Sequence, residues 1–311
     1  MAARVGDEEK ETMNSRAQIR LLSDGRRLHL HDGPIDLIVE AFGPREEVEA
    51  AYRAAASRFV TVLDELCREL SLLRSPCVPD DPWPQGAVAR RMVAAVMPYA
   101  AENFITPMAA VAGAVAEEIL AAMVARAELL RAYVNNGGDI ALDLSAAQTF
   151  VIGMVERPDR PSLLGTTTVR ASDPVRGVAT SGWRGRSFSL GIADAVTVLA
   201  DRAAAADAAA TIIANAVDLP GNPAIVRVPA CELAPDSDLG NRSVTQAVGE
   251  LKLEDLNQAL AQGARTARRL LRMGLIRSAA LSLQGETRIV GAVEASSTIA
   301  TPVRERGLVH A

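Results

Sequence analysis

Residues 203–211 read Ala203-Ala204-Ala205-Ala206-Asp207-Ala208-Ala209-Ala210-Thr211. This near-continuous alanine run constrains the fold more than any other feature. Alanine is the best helix former, and with nothing beyond Cβ it lets a neighbouring backbone approach closely. Ala203–Val217 is therefore expected to be a helix pressed tightly against other elements. The core as a whole must be built in the same way: 49% of residues are hydrophobic but only 3% are aromatic, leaving Ala, Val, Leu and Ile to fill it. A chain of 311 residues is long enough for one large domain or two intimate halves.

Alternating segments at Arg16–Leu22 and Arg26–His31 flank Ser23-Asp24-Gly25, a hairpin signal. Ile35–Ala41 reads as the next strand. Glu46–Leu73 follows as a long helix, opened by Gly43-Pro44, with apolar residues at helical spacing. Ser75–Pro84 carries four prolines and reads as a loop. Ala87–Val96 and Pro107–Ala127 are expected helices, the second entered through Thr106 as N-cap. Ala132–Asn135 and Ile140–Leu144 are short strands around a glycine pair, followed by a strand at Thr149–Val155. Pro158–Pro174 reads as loop with a strand at Thr166–Val169. Strands at Gly177–Thr180 and Ala195–Leu199 flank a polar, glycine-rich turn. A strand at Ile225–Val228, a helix at Leu253–Met273 and a strand at Ala279–Leu283 complete the reading. Hairpins separated by helices of several turns predict an α+β fold with antiparallel sheet, not a βαβ alternation. Residues 1–16 and 294–311 are expected to be tails around a single domain, residues 17–293, made of two intimate halves.

The formal net charge of −5, without a long single-sign run, and the scarcity of stacking aromatics argue against a nucleic-acid partner. Cys67, Cys77 and Cys231 form no CxxC pair and read as reduced thiols of a cytoplasmic protein. No uninterrupted apolar run of membrane-spanning length and no signal peptide are read from the sequence, so no membrane partner is expected.

Four segments carry candidate chemistry. Thr180-Ser181-Gly182-Trp183-Arg184-Gly185-Arg186-Ser187 gathers hydroxyls, glycines and two arginines into one turn. Such a turn can cradle an anion with amides and hydroxyls while Arg184 and Arg186 grip it in a forked way. Asp207 and Thr211 are four residues apart and share one helix face; isolated among alanines, they suit a hard cation such as Mg²⁺. An Asp favoured by a helix N-terminus and a Thr bonded back to its helix would look the same. Asn135-Asn136-Gly137-Gly138-Asp139 offers amides and a tight turn, and Thr106 opens a helix whose amides can meet an anion. Asp236–Gly240 reads as a capping loop. His29 and His31 share one strand face without the spacing of a metal site, and read as structural or solvated.

Taken together, Ile105–Ala116, Val134–Ala141, Arg176–Ala200, Ala206–Asp218 and Asp236–Gly240 occur in an order that resembles an uncharacterised branch of the ApbE-like superfamily, from about Gly33 to Gly285. The resemblance implies a T-fold-like, duplicated antiparallel sheet with packed helices. It implies a metal site at Asp207 and Thr211, with a backbone carbonyl near Ala112 as third ligand. It further implies the activity of the superfamily's best-known members, FAD:protein FMN transferases. The chain departs from their pattern at Arg186–Asp194, where a His followed by Asp-Pro and a Thr-Gly are missing, and at Ala112, where they carry Lys.

Three functions follow as expectations. The first is an enzyme, a Mg²⁺-dependent transferase or hydrolase, that binds a small anionic, nucleotide-like ligand. The ligand set is Thr106, Asn135, Asn136, Gly137, Gly138, Thr180, Ser181, Gly182, Arg184, Arg186 and Ser187, with Asp207, Thr211 and Ala112 at the metal. The second is FMN transfer, with FAD or FMN as cofactor. The third is a non-catalytic ligand-binding or assembly protein. Relatives that associate through sheet edges leave a homo-oligomer open.

Overall fold

The computed structural model describes residues 16–155, 163–291 and 308–310. β1 (Gln18–Leu21), β2 (Leu28–Asp32) and β3 (Ile35–Phe42) form a meander, followed by α1 (Arg45–Arg68), the single turn α2 (Leu70–Leu73) and α3 (Ala87–Val96). After a 3₁₀ turn at Pro107–Ala110 come α4 (Val111–Val124), β4 (Arg131–Asn136), β5 (Asp139–Leu144), β6 (Thr149–Val155) and β7 (Leu163–Arg170). The remainder is β8 (Gly177–Ser181), β9 (Ala195–Ala200), α5 (Ala203–Ala216), β10 (Ile225–Pro229), α6 (Ala230–Leu233), β11 (Ser243–Val248), α7 (Leu253–Arg272), β12 (Ser278–Leu283), β13 (Glu286–Gly291) and β14 (Leu308–His310). Nine strands form one antiparallel sheet in the order β1-β2-β3-β4-β5-β8-β9-β12-β13. The fold is α+β, with antiparallel sheet and packed helices, as the alternation of hairpins and helices predicts.

Each face of this sheet buries its own core. Leu30, Leu37, Val39, Val134, Ala141, Val196, Val198 and Leu281 point to the helices, where they meet Phe59, Ile119, Ile213 and Leu260. Residues one step along the same strands, among them Tyr133, Ile140, Leu142 and Val178, point the other way, against Phe150, Ile152 and Val169 of β6 and β7. The period of two in the strands thus sorts one sheet between two packing partners. Fully burying a side chain such as Phe59 contributes about 1.5–3 kcal/mol.

Several expectations are corrected by the structure. The long helix breaks at Glu69, whose carboxylate accepts the amides of Gln85 and Gly86 at 2.6 and 2.8 Å just before α3. Arg16, expected in a tail, pairs with buried Asp32 and with Asp64. Pro158, inside the expected loop, lies outside the described residues, but β7 is longer than the strand read at Thr166–Val169. β11 and β13 went unread, as did β14, which lies inside the expected C-terminal tail and pairs with β6; all three lie at sheet edges. Pro107–Val124 is an 18-residue helical stretch long and apolar enough to span a membrane, interrupted by Glu117 and Glu118. Here it packs in the core through Ala114, Val115, Ile119 and Met123.

α4 and α5 are coupled at their N-termini. Gly113 lies so close to α5 that a Cβ on it would sit 2.4 Å from the Ala203 carbonyl oxygen. Neither helix has a side-chain cap of its own. Instead Glu117 of α4 accepts the Ala204 amide of α5 at 2.8 Å, and Asp207 of α5 accepts the Gly113 amide of α4 at 3.0 Å. Each helix thus satisfies an orphan amide of the other with a carboxyl oxygen. Replacing Glu117 with alanine should cost about 1 kcal/mol, and Glu117→Gln, which keeps an acceptor, about half of that or less. Thermal melts of the two variants check this ordering.

Candidate functional site

The site is organised around the β4–β5 turn. Asn136 pairs with Asp139 across a two-residue link, Gly137-Gly138, in which φ is +65° and +113°. Two successive positive φ values are what a tight hairpin of this twist requires, and glycine supplies them without strain. Asn135 Oδ1 accepts the Gly138 amide at 2.8 Å and holds the turn in shape.

On the sheet face away from the helices, this turn walls a cavity of about 370 Å³. Its floor is one cross-strand rung: Arg20 lies opposite His29, His29 opposite Ile38, and Ile38 opposite Asn135. Asp36 and Gly138 complete one side, and Arg186 reaches in from the loop after β8. A Cβ on Gly137 would come within 3.3 Å of Arg186 Nη1, so the guanidinium lies directly over the turn. Arg186 is exposed and makes no ion pair among the described residues.

The helix-side face of the same turn carries two carboxyls. Asp139 Oδ1 accepts the Thr180 amide at 3.2 Å. Asp207 accepts the amide of Gly113, while Asn136 Nδ2 donates to the Ala112 carbonyl at 3.2 Å. Turn and α4 N-terminus are thereby tied together. Burial pushes the Asp207 carboxyl up to about 7, against the lowering effect of the Gly113 and Ala112 amides. Burial, and then the charge of Asp207, hold Asp139 well above the usual carboxylate range. No basic side chain is among the groups acting on either. Both residues nevertheless keep partial solvent exposure, so they are enclosed by protein but reachable. Asp207, Thr211 and Asn215, four residues apart, form a partly exposed polar line along α5.

Of the expected ligand residues, Asn135, Gly137, Gly138 and Arg186 come together at the cavity. Asn136 is buried beneath them and ties the turn to Ala112. The other expected contacts have different partners. Arg184 Nε donates to buried Asp194 at 2.6 Å, and its guanidinium lies 4.3 Å over the Trp183 ring. Asp194 also accepts from the Gln284 amide and Trp183 Nε1, so it locks the loop base to the turn after β12. The Thr180 hydroxyl bonds that of Thr197, and Gly182 is a close-packing position, where a Cβ would sit 2.4 Å from the Asp194 carbonyl oxygen. Ser187 is exposed, Ser181 half-buried, and neither lines the cavity. Buried Thr106 does precede the helical turn, but its hydroxyl donates to Asp238 rather than capping it. Asp139, Arg20, His29 and Asp36 were not among the expected site residues. Asp139 stood in the quoted string but read as turn chemistry; the other three reach the site only through strand pairing.

A family model described as AbpE bacteria matches residues 19–289 of this chain. A UPF0280 protein of Methanopyrus kandleri is 46% identical over 125 residues, covering 40% of this chain and 48% of that protein. A UPF0280 protein of Methanosphaerula palustris is 34% identical over 187 residues, 55% of this chain and 71% of its own. The chain spans about half the length of most of the curated relatives it matches. Among solved structures, the apo form of the Pseudomonas stutzeri flavinyl transferase ApbE superposes with a TM-score of 0.40 at 12% identity, over 89% of this chain and 94% of the other.

Proposed function

The chain belongs to the family described as AbpE bacteria, and from that premise we propose that it is an enzyme that binds a small anionic molecule beside a divalent cation. One observation carries this reading. A single glycine turn has an arginine-lined cavity on one face and, on the other, two half-buried carboxyls without a basic partner among the described residues.

The donor set fits a hard cation. Among the described residues no three His, Cys, Asp or Glu side chains cluster, which speaks against a zinc-type site. Asp207 and Asp139, the Thr211 hydroxyl and the Ala112 carbonyl are oxygen donors that would hold Mg²⁺ together with water. A bound Mg²⁺ would neutralise the carboxyl pair across the turn from the anion. The protein's own groups do the rest. Arg186 binds the anionic group, Gly137 and Gly138 let it approach the backbone closely, and Asn135 keeps the turn rigid. A hydrolytic or transfer reaction in a cytoplasmic setting is part of this proposal; the three free cysteines support that compartment.

FMN transfer, implied by the family resemblance, is the second reading. The departures from the transferase pattern at Arg186–Asp194 and at Ala112 place it second. Sulfate binding tests the cavity. Arg186→Ala should weaken it about tenfold, the value of one charge-assisted contact, with thermal stability unchanged because the side chain is exposed. Equal affinity in both proteins would remove Arg186 from the site.

A further inference from the structure

Arg20, His29 and Asp36 are linked across one side of the cavity. Arg20 Nε donates to His29 Nδ1 at 3.0 Å, and His29 Nε2 lies 2.6 Å from Asp36 Oδ1. A guanidinium is a donor only. His29 Nδ1 is therefore an acceptor, and the ring proton sits on Nε2, donated to Asp36. His29 is neutral in this arrangement, because a proton on Nδ1 would face the N–H of Arg20. The imidazole is mostly buried, at 15% side-chain exposure, whereas Arg20 is exposed and makes no ion pair among the described residues. Arg20 thus masks the one free nitrogen of a histidine oriented by a carboxylate.

Resting on the reading of the cavity as an anion site, we propose that His29 is its proton-accepting residue, uncovered when an anionic ligand draws Arg20 away. An oxyanion is a stronger partner for a guanidinium than a neutral imidazole nitrogen. Once Arg20 turns to the anion, Nδ1 takes a proton from a hydroxyl of the ligand. The O–H bond breaks, its electron pair stays on oxygen, and an N–H bond forms on what is now imidazolium. Asp36, on β3, faces the other ring nitrogen and stabilises the new charge. Arg20 on β1 and Arg186 over the turn oppose it until the anion neutralises them. His31, stacked 6.2 Å away on β2, is the other titratable ring beside it. The ligand class that uses every part is a small molecule with a phosphate-like dianion and an ionisable hydroxyl.

The chain has three histidines, so the C2–H resonance of His29 can be followed by NMR and assigned with His29→Asn. Sulfate is the probe, because it stays dianionic while histidine titrates. Saturating sulfate should raise the His29 midpoint by about 1 pH unit, the effect of exchanging a nearby cation for an anion, and move His31 less. Arg20→Gln should raise the midpoint without sulfate and shrink the sulfate-induced shift. Two results overturn the inference. If sulfate binds in an Arg186-dependent way but leaves the His29 midpoint unmoved, His29 is structural and the anion site stands. If sulfate does not perturb the Gly137 and Gly138 amides at all, both the anion site and the role of His29 fall.

Discussion

Replacing Gly113 with alanine should destabilise the protein by about 3 kcal/mol or more, although alanine is the better helix former. Two effects of opposite sign compete. In the first turn of α4, exchanging Gly for Ala gains at most about 1 kcal/mol of helix propensity. Against this, the new Cβ would lie 2.4 Å from the carbonyl oxygen of Ala203, 2.5 Å from its carbonyl carbon and 2.7 Å from the Ala204 nitrogen. These are backbone atoms of α5, and no side-chain rotation can clear them. α4 and α5 must separate, which also stretches the Glu117–Ala204 and Asp207–Gly113 hydrogen bonds. Overpacking of this kind costs about 1–3 kcal/mol before the lost caps are added. Gly43→Ala is the control: its Cβ would meet backbone at an ordinary 3.5 Å. Urea unfolding should shift the midpoint strongly for Gly113→Ala and little for Gly43→Ala. A Gly113→Ala protein as stable as its parent would mean that the two helices are not held at this separation.

The second large effect concerns pH. The Asp207 carboxyl is raised from its ordinary 3.8 to about 7 in the folded protein. Between those values the folded state holds a proton that the unfolded state has released, so stability falls as pH rises through this window. At about 1.36 kcal/mol per pH unit the full effect reaches up to about 4 kcal/mol, with Asp139 acting in the same direction. The metal-free protein should therefore be more stable at pH 5 than at pH 8. Asp207→Asn removes the titrating group while keeping a carbonyl oxygen for the Gly113 amide. Its stability should be nearly flat across the window, and at pH 8 it should exceed that of the parent. Denaturant midpoints at pH 5, 6, 7 and 8 for both proteins check the sign and the size. A parent protein that gains stability between pH 5 and 8 would show that neither carboxyl is held protonated.

The two halves of the site differ in how far they were legible in the sequence. The polar line on α5 is local: Asp207 and Thr211 share a face by helical geometry alone, and their alanine surroundings advertise it. The Gly137-Gly138 hairpin is equally local, since its neighbours alternate and its link demands positive φ. The cavity is not local. Arg20, His29, Ile38 and Asn135 become one rung only through the registers of β1 with β2, β2 with β3 and β3 with β4, the last joining segments nearly a hundred residues apart. A one-residue slip in any of these pairings would break the rung, and no short-range signal fixes the register of β3 with β4. Arg184 illustrates the opposite error. Its spacing from Arg186 suggested a pair gripping one ligand, but buried Asp194 needs a counter-charge and takes the nearer guanidinium. Alternation read most strands correctly and missed β11 and β13, which lie at sheet edges, where burial alternates weakly.

Asp139 and Asp207, in the function proposed above, form a cation site beside an anion-binding turn. The most direct measurement is the thermal melt at pH 8 with and without MgCl₂, for the parent and for Asp207→Asn. A cation that binds only the folded carboxyl pair stabilises it by mass action and offsets the repulsion that builds up above pH 7. The parent should therefore gain several degrees with Mg²⁺, and Asp207→Asn little or nothing. An unchanged parent melt, or an equal gain in both proteins, would contradict the assignment.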